Sequence, residues 1–252
     1  MSVMRLYRRF PRLSCLLIGL VLTVFLVIGA YGMRRFSGSL QSNSLPPIAR
    51  WFDDPASRPV LTTAMRQQAC PGAPFILPSD GFIGLLWNDP AAPYTVMNTH
   101  TGLDIFGDGE PGEVPVYAAY GGTLSRLADW KSSVIIRHDD PLQPGRTIWT
   151  YYTHMASRDG GQSFIAPAFP PGTEAVWVEP GTLLGYQGEY AGVGRAPIGL
   201  HLHFTIIAQE GDDPYQAFAH ESVLSSTLDP SPYLRMPVNI AGLPSRPISC
   251  AG

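Results

Sequence analysis

The chain has 252 residues, enough for one well-packed domain with an appendage. Only 15% of its residues are charged, whereas 26 glycines and 25 prolines form about a fifth of the chain, compared with a usual share of roughly 12%. With 45% hydrophobic residues, this composition favours short strands joined by turns and excludes a helical bundle or a disordered chain. Six of the 17 basic residues and no acidic residue lie in residues 1–35, so the remaining 11 basic and 20 acidic side chains carry a net charge of −9. This charge excludes the basic surface that a nucleic-acid-binding protein needs.

The N-terminus predicts an export element. Four arginines precede the uncharged stretch 13–32, and two follow it. A helix that crosses a bilayer needs about 20 apolar residues, whereas the core of a signal peptide has about 7–15. The length therefore favours a transmembrane helix that holds the protein in the cell membrane, with its N-terminus in the cytoplasm and the rest outside. The alternative is a secreted protein, cleaved after the small-x-small sequence Ala30-Tyr31-Gly32.

Two of the three cysteines are candidates for a disulfide bond. Cys15 lies in the apolar stretch and is expected to pack as a small apolar residue. Cys70 and Cys250 lie in the exported part, where oxidising conditions favour disulfide formation. We expect them to pair and to join the start of the exported domain to the end of the chain. Two unpaired cysteines are the alternative.

Composition divides the chain into four predicted segments. These are an anchor or signal peptide (1–35), a Pro/Ser-rich stalk (36–74), a β-rich catalytic domain (75–236) and a Pro-rich tail (237–252). One short helix is expected in the stalk, near Thr62–Gln68. Short apolar or alternating runs bounded by turn residues predict seven strands: Val116–Ala119, Gly122–Leu127, Ser133–His138, Thr147–His154, Glu174–Val178, Thr182–Gly185 and His201–Ala208.

Histidines in two short motifs indicate a metal site. His100 is followed four residues later by Asp104, and His201 and His203 lie two apart in an apolar run. Residues two apart in a strand point to the same face, so the second pair projects together. A catalytic zinc ion takes imidazole and carboxylate ligands and usually keeps one position open for water. A lone His-x-His pair is more often hydrogen-bonded than metal-bound, so the prediction of a hydrolytic metalloenzyme rests on both motifs.

A third motif extends this pattern. Thr150, Tyr152 and His154 share one face of a predicted strand. With this motif, residues 80–236 or so resemble the lysostaphin/LytM-type zinc endopeptidases. Their hallmarks are His-x-x-x-Asp, Thr-x-Tyr-x-His and a final His-x-His-Phe, and this chain has all three in that order.

The resemblance implies a mainly β fold, with an antiparallel sheet in a barrel- or sandwich-like catalytic domain. It implies one zinc ion per chain, with His100, Asp104 and His203 as ligands, while His154 and His201 orient the water and move its proton. The implied substrates are stem or cross-bridge peptides of bacterial peptidoglycan. Two alternatives are a non-catalytic relative that binds the cell wall and activates another hydrolase, and a secreted zinc protease that acts on proteins.

Two further residues are candidates for the substrate cleft. Tyr94 lies six residues before His100 and is placed to donate a hydrogen bond to an oxyanion, as a tyrosine does in some relatives; an ordinary loop tyrosine is the alternative. His138 lies where the family often has a strand histidine, although a structural hydrogen-bonded role is the better interpretation. The segment 188–199 is longer than the family's usual turn, which affects substrate choice rather than metal binding.

Overall fold

The structure, a computed structural model, describes five parts of the chain: residues 19–29, 42–62, 69–195, 198–208 and 226–251. The chain divides into two compact units, Met1–Gln41 and Ser42–Gly252. In the first unit, residues 19–29 are helical. Among the described residues, no helix has both the length and the apolar character needed to cross a membrane. The transmembrane helix predicted over 13–32 lies partly outside the described residues.

The second unit is built on antiparallel strands, which confirms the mainly β prediction. In chain order its strands are β1 (Phe82–Ile83), β2 (Leu103–Phe106), β3 (Pro115–Tyr117), β4 (Gly122–Ser125), β5 (Val134–Asp139), β6 (Thr147–Thr153), β7 (Val176–Val178), β8 (Leu183–Tyr186), β9 (Leu202–Ala208) and β10 (Thr227–Leu228). The main sheet has the order β1-β2-β9-β6-β5-β4-β7, with β10 also paired to β9, while β3 and β8 form a separate pair. In the described part of the chain the main sheet has two ends, at β1 and β7, so the barrel-like closure that the resemblance implied is absent.

The two central strands, β6 and β9, are covered on both faces. On one face, Leu202, Phe204 and Ile206 belong to the main hydrophobic core. On the other face, Ile207 packs in a smaller cluster with Trp149. Because side chains alternate along a strand, His203 and Thr205 of β9 project to the second face, away from the main core.

The N-terminal part of the second unit is helical and packed, which differs from the stalk predicted over 36–74. Helix α1 (Leu45–Asp53) and helix α2 (Arg58–Leu61) are separated by a short 3-10 helix, and prolines occupy the first turn of each, where their missing N–H costs little. Trp51 is buried, and its ring stacks on Phe82 at 5.6 Å between centroids. The Ser/Pro-rich composition did not indicate that these helices have an apolar face, which packs against Phe82 and Phe106 of the sheet. Most of the short helix predicted near Thr62–Gln68 falls outside the described residues.

The C-terminal segment also packs against the domain, which differs from the separate tail predicted over 237–252. It follows the short helix α3 (Ser231–Leu234). Val238 and Ile248 are buried in the main core. A disulfide bond joins Cys70 to Cys250, with Cα atoms 5.5 Å apart. The domain therefore extends well beyond the predicted limits of 75 and 236 at both ends.

Candidate metal centre

The register between β2 and β9 places Asp104 directly opposite His203. Leu103 on one side of Asp104 belongs to the main core, so the carboxylate projects to the other face. Gly102 allows the two segments to approach closely, because a Cβ atom there would lie 2.2 Å from the carbonyl oxygen of Phe204. His100 precedes β2, where its backbone N–H donates to the carbonyl of Asp89 at 2.9 Å.

Three potential ligand atoms converge at this point. His100 Nε2 lies 3.0 Å from Asp104 Oδ1 and 3.0 Å from His203 Nδ1, and the latter two atoms are 2.9 Å apart. All three residues are buried. In the part of the chain that the structure describes, this is the group of His, Cys, Asp or Glu side chains that can hold a metal ion.

The outer nitrogens of the two histidines have hydrogen-bond partners that fix each ring. His100 Nδ1 donates to the carbonyl oxygen of Leu86 at 2.9 Å, because a carbonyl can only accept. His203 Nε2 lies 2.7 Å from Thr205 Oγ1 and is placed to donate to it. Each inner nitrogen then carries a lone pair. Metal-binding histidines are oriented in this way by their second nitrogen.

The carboxylate of Asp104 is kept ionised. Burial acts to raise its pKa, but the interactions of the carboxylate with the neighbouring imidazoles of His100, His201 and His203 lower it more, so the pKa lies well below its usual value. Three electron-rich atoms therefore meet within 3.0 Å of one another. A cation relieves the repulsion among them.

The ligand types and spacing fit a divalent metal ion. Ligand bonds of 2.0–2.2 Å in tetrahedral geometry place ligand atoms about 3.3 Å apart, a few tenths of an ångström wider than the separations here. Two imidazoles and one carboxylate leave the fourth position of a tetrahedron open. That combination is typical of catalytic rather than structural zinc sites.

His201 lies beside the three ligand residues. Its Nε2 is 3.6 Å from Asp104 Oδ1, and its Nδ1 donates to the carbonyl of Gly199 at 2.7 Å. The ring of Phe106 covers it, with centroids 5.0 Å apart. Nε2 is therefore the nitrogen of His201 that is available to accept a proton.

His154 is the second histidine at the border of the cluster. It follows the last residue of β6, and its ring lies 4.6 Å from that of His201 and 6.0 Å from that of His203. Its Nδ1 donates to the carbonyl of Tyr190 at 2.7 Å. Its backbone φ of 76° lies in the left-handed region, which residues other than glycine rarely adopt. Backbone outliers of this kind concentrate at functional sites.

The two additional cleft candidates differ in position. The ring of Tyr94 lies 4.9 Å from that of His100, at the border of the cluster. His138 pairs with Ile148 of β6, whereas His203 pairs with Thr153 of the same strand. Five residues of strand separate these two positions, about 17 Å. His138 is thus not brought to the cluster.

Sequence reasoning missed the residues that orient the histidines. Thr205 lies two residues after His203, so the period of a strand was a usable signal for it. The carbonyls of Leu86, Gly199 and Tyr190 carry no signal, because any residue type supplies a carbonyl. Phe52 was also missed. Its ring lies against Gly199, whose carbonyl holds His201, because a Cβ atom added to Gly199 would lie 2.5 Å from that ring.

Comparison with known proteins gives structural neighbours only. No protein-family model and no curated protein matches the chain. Among solved structures, lysostaphin from Staphylococcus simulans is 21% identical, with a TM-score of 0.35, over 56% of this chain and 45% of its own. A catalytic-domain mutant of the prophage-encoded M23 protein EnpA from Enterococcus faecalis is 19% identical, with a TM-score of 0.36, over 64% of this chain and 93% of its own. A zinc containing peptidase from Vibrio cholerae is 16% identical, with a TM-score of 0.31, over 61% and 41%.

The solved structures to which the chain is similar thus include lysostaphin and a LytM-type endopeptidase, members of the family that the three motifs resemble. The match spans less than half the length of the lysostaphin chain. At these identities and TM-scores the similarity carries no chemistry over to this chain, so the argument about chemistry rests on the chain's own residues.

Proposed function

We propose that this protein is a zinc-dependent endopeptidase that hydrolyses peptide cross-links of bacterial peptidoglycan outside the cytoplasm. The observation that carries the proposal is the convergence of His100 Nε2, Asp104 Oδ1 and His203 Nδ1 within 3.0 Å of one another, with two further histidines beside them. The peptidoglycan substrate comes from the resemblance of the three histidine motifs to those of the lysostaphin/LytM-type family. The predicted N-terminal anchor or signal peptide and the Cys70–Cys250 disulfide bond fit an extracytoplasmic location.

The same three residues would hold the zinc ion. Their donors, two imidazole nitrogens and one carboxylate oxygen, are among the ligands that zinc takes in catalytic sites. When bound, zinc polarises the scissile carbonyl and lowers the pKa of a water molecule toward about 7. The buried position of all three residues strengthens the electrostatic interactions in which they take part.

His154 and His201 perform the proton transfers. Each has Nδ1 fixed by a backbone carbonyl, which leaves Nε2 to accept a proton from the attacking water and to return it to the leaving amine. Histidine suits this role because its charge changes near neutral pH. Protonated imidazole then also stabilises the negative charge that develops on the carbonyl oxygen. Tyr94, whose ring adjoins His100, is the candidate for a further hydrogen bond to that oxygen.

The proposal is tested by metal analysis and digestion with the full chain purified in detergent. We expect one zinc ion per chain and release of soluble wall fragments from purified sacculi, with the cleaved bond identified by mass spectrometry. The variant His203→Ala serves as the inactive control. Zinc binding without cleavage of sacculi or cross-linked muropeptides would instead indicate a non-catalytic wall-binding relative. Cleavage of Gly-rich proteins but not of sacculi would indicate a protease that acts on proteins.

A further inference from the structure

A cavity of about 300 Å³ opens beside His154. Its lining includes Tyr190, whose carbonyl oxygen holds His154 Nδ1 at 2.7 Å. It also includes Thr153, which pairs in register with the ligand residue His203. A group bound in this cavity would therefore lie next to the bond that the proposed site cleaves.

Buried hydroxyl groups form one side of the cavity. Ser133 Oγ lies 2.6 Å from Thr153 Oγ1 and 3.2 Å from the hydroxyl of Tyr151. All three residues are buried and line the cavity. Hydroxyl groups can rotate and donate to a bound acceptor. This side of the cavity thus offers hydrogen-bond donors without a fixed charge.

Positive charge lies at the exposed rim. Lys131 and Arg195 both line the cavity and are exposed, against a single acidic lining residue, Asp129. Two of the 11 basic side chains after residue 35 thus lie at one cavity, although that part of the chain carries 20 acidic side chains. The residues that line the cavity thus carry one net positive charge, whereas the part of the chain after residue 35 carries a net charge of −9. Lys131 also faces Asp159 of the neighbouring turn.

The size and chemistry of the cavity select its ligand. A volume of about 300 Å³ is at the lower end for ligand pockets, which suits a single residue of a longer substrate. Lysine and arginine bind carboxylates through charge-assisted hydrogen bonds. Trp130 and Tyr190 also line the cavity, and aromatic residues supply apolar surface for the aliphatic part of such a residue.

We propose that this cavity is a specificity site that binds a carboxylate-bearing residue of the peptide substrate next to the scissile bond, with Lys131 and Arg195 as the binding cations. This inference rests on the proposed endopeptidase function. It adds a substrate class: cross-link peptides that carry a free carboxylate beside the cleaved bond.

The test compares one substrate in two chemical forms. A cross-linked muropeptide dimer with free carboxylates and the same dimer with those carboxylates amidated are digested by the zinc-loaded full chain. We expect amidation to raise KM about tenfold, the value of roughly one charge-assisted hydrogen bond at the exposed rim, with little change in kcat. The double variant Lys131→Gln/Arg195→Gln should raise KM for the free carboxylate form by a similar factor and abolish the discrimination. Arg137→Gln, an exposed cation of β5 that does not line the cavity, is the matched control and should retain the discrimination.

The outcomes separate this inference from the proposed function. Cleavage of both dimers with equal KM, or discrimination that survives in the double variant, overturns the carboxylate site but leaves the endopeptidase intact. If neither dimer is cleaved, the endopeptidase function fails. Calorimetric measurement of binding to the zinc-loaded protein then decides whether the cavity binds the carboxylate. About tenfold tighter binding of the carboxylate form, lost in the double variant, supports the site, whereas equal or undetectable binding overturns it.

Discussion

His203 and His138 are buried histidines about 17 Å apart along the central sheet, and they have similar surroundings. In each, Nε2 lies 2.7 Å from a threonine hydroxyl, that of Thr205 for His203 and that of Thr150 for His138. The difference lies at Nδ1. His138 Nδ1 donates to the carbonyl of Gly121 at 2.8 Å, so both of its nitrogens are satisfied by protein groups. Burial and the hydrogen bond to a threonine therefore do not distinguish a ligand from a structural histidine, whereas the partner at Nδ1 does.

At His203, Nδ1 has different neighbours from those of His138 Nδ1. Its Nδ1 faces Asp104 Oδ1 and His100 Nε2, two atoms that are themselves potential ligands. A histidine with one ring nitrogen directed at other potential metal ligands indicates a cation site, whereas a histidine with both nitrogens bonded to a carbonyl and a hydroxyl indicates a structural role. The comparison thus predicts that changes near His203 alter metal binding, and that equivalent changes near His138 alter stability alone.

The largest expected effect is that of His203→Ala. Removing one of three protein ligands should abolish both zinc retention and hydrolysis, because two ligands hold the ion too weakly. Zinc content by atomic absorption and digestion of sacculi measure the two effects. His138→Ala is the matched control and should keep one zinc ion per chain. A His203→Ala protein that retains a full equivalent of zinc would remove the basis of the comparison.

His154→Ala tests the division between ligands and proton-transfer residues. We expect zinc to be retained while kcat falls by about 10²–10⁴, the usual contribution of general acid–base catalysis. Because His154 has a φ of 76°, His154→Asn is a useful second variant, since asparagine tolerates the left-handed region. Both variants should behave alike. Loss of zinc from both would assign His154 to the metal instead.

The pH dependence of stability sharpens the comparison at His138. Burial lowers its pKa from 6.5 to about 4, although the hydrogen bond to Gly121 opposes this shift. The groups that contact the His138 ring here are uncharged: the hydroxyl of Thr150 and the rings of Phe75 and Tyr120. The folded state therefore disfavours the protonated ring. Above pH 6.5 the ring is neutral in both states, so this histidine does not reduce the free energy of unfolding. As the pH falls from 6.5 toward 4, the free energy of unfolding decreases by about 3 kcal/mol at most.

This pH effect is measured as a difference between proteins. Urea unfolding of the wild type and of His138→Gln from pH 4 to 7.5 should show a destabilisation of the variant that shrinks as the pH falls. Subtraction cancels the titration of the other groups in the two proteins. A difference that stays constant over this range would mean that His138 does not titrate as its burial implies.

The sequence predicted the larger elements of the fold better than the short ones. Seven strands with alternating or apolar patterns were predicted to within two residues at each end. Strands β1 and β10 have two residues each, too few for a pattern, and in the four residues of β2 the alternation stops after Ile105, because apolar Phe106 follows. The helices over 45–61 were missed because four prolines lie among these 17 residues, although Trp51 is deeply buried.

The candidate site was predictable to the extent that its chemistry resides in side chains. The spacing of His100 and Asp104, and of His201 and His203, identified residues that the fold brings together. The groups that fix which ring nitrogen faces the cluster are mostly backbone carbonyls. Because any residue type supplies a carbonyl, the sequence does not identify them. His138 shows the converse limit, because a histidine on a central strand has the same local pattern whether or not a site lies beside it.

Matched substitution of the two threonines gives the smallest and sharpest test. Thr205 and Thr150 are both fully buried, and each hydroxyl lies 2.7 Å from a histidine Nε2. Replacement by valine removes either hydroxyl while keeping a β-branched side chain, so each variant should lose about 1–3 kcal/mol of unfolding free energy. Only Thr205→Val should also weaken zinc binding, by about 10–100-fold, because His203 loses the partner that orients it. Competition with a fluorescent zinc chelator measures the affinity, and equal affinity in the two variants would show that Thr205 does not act through His203.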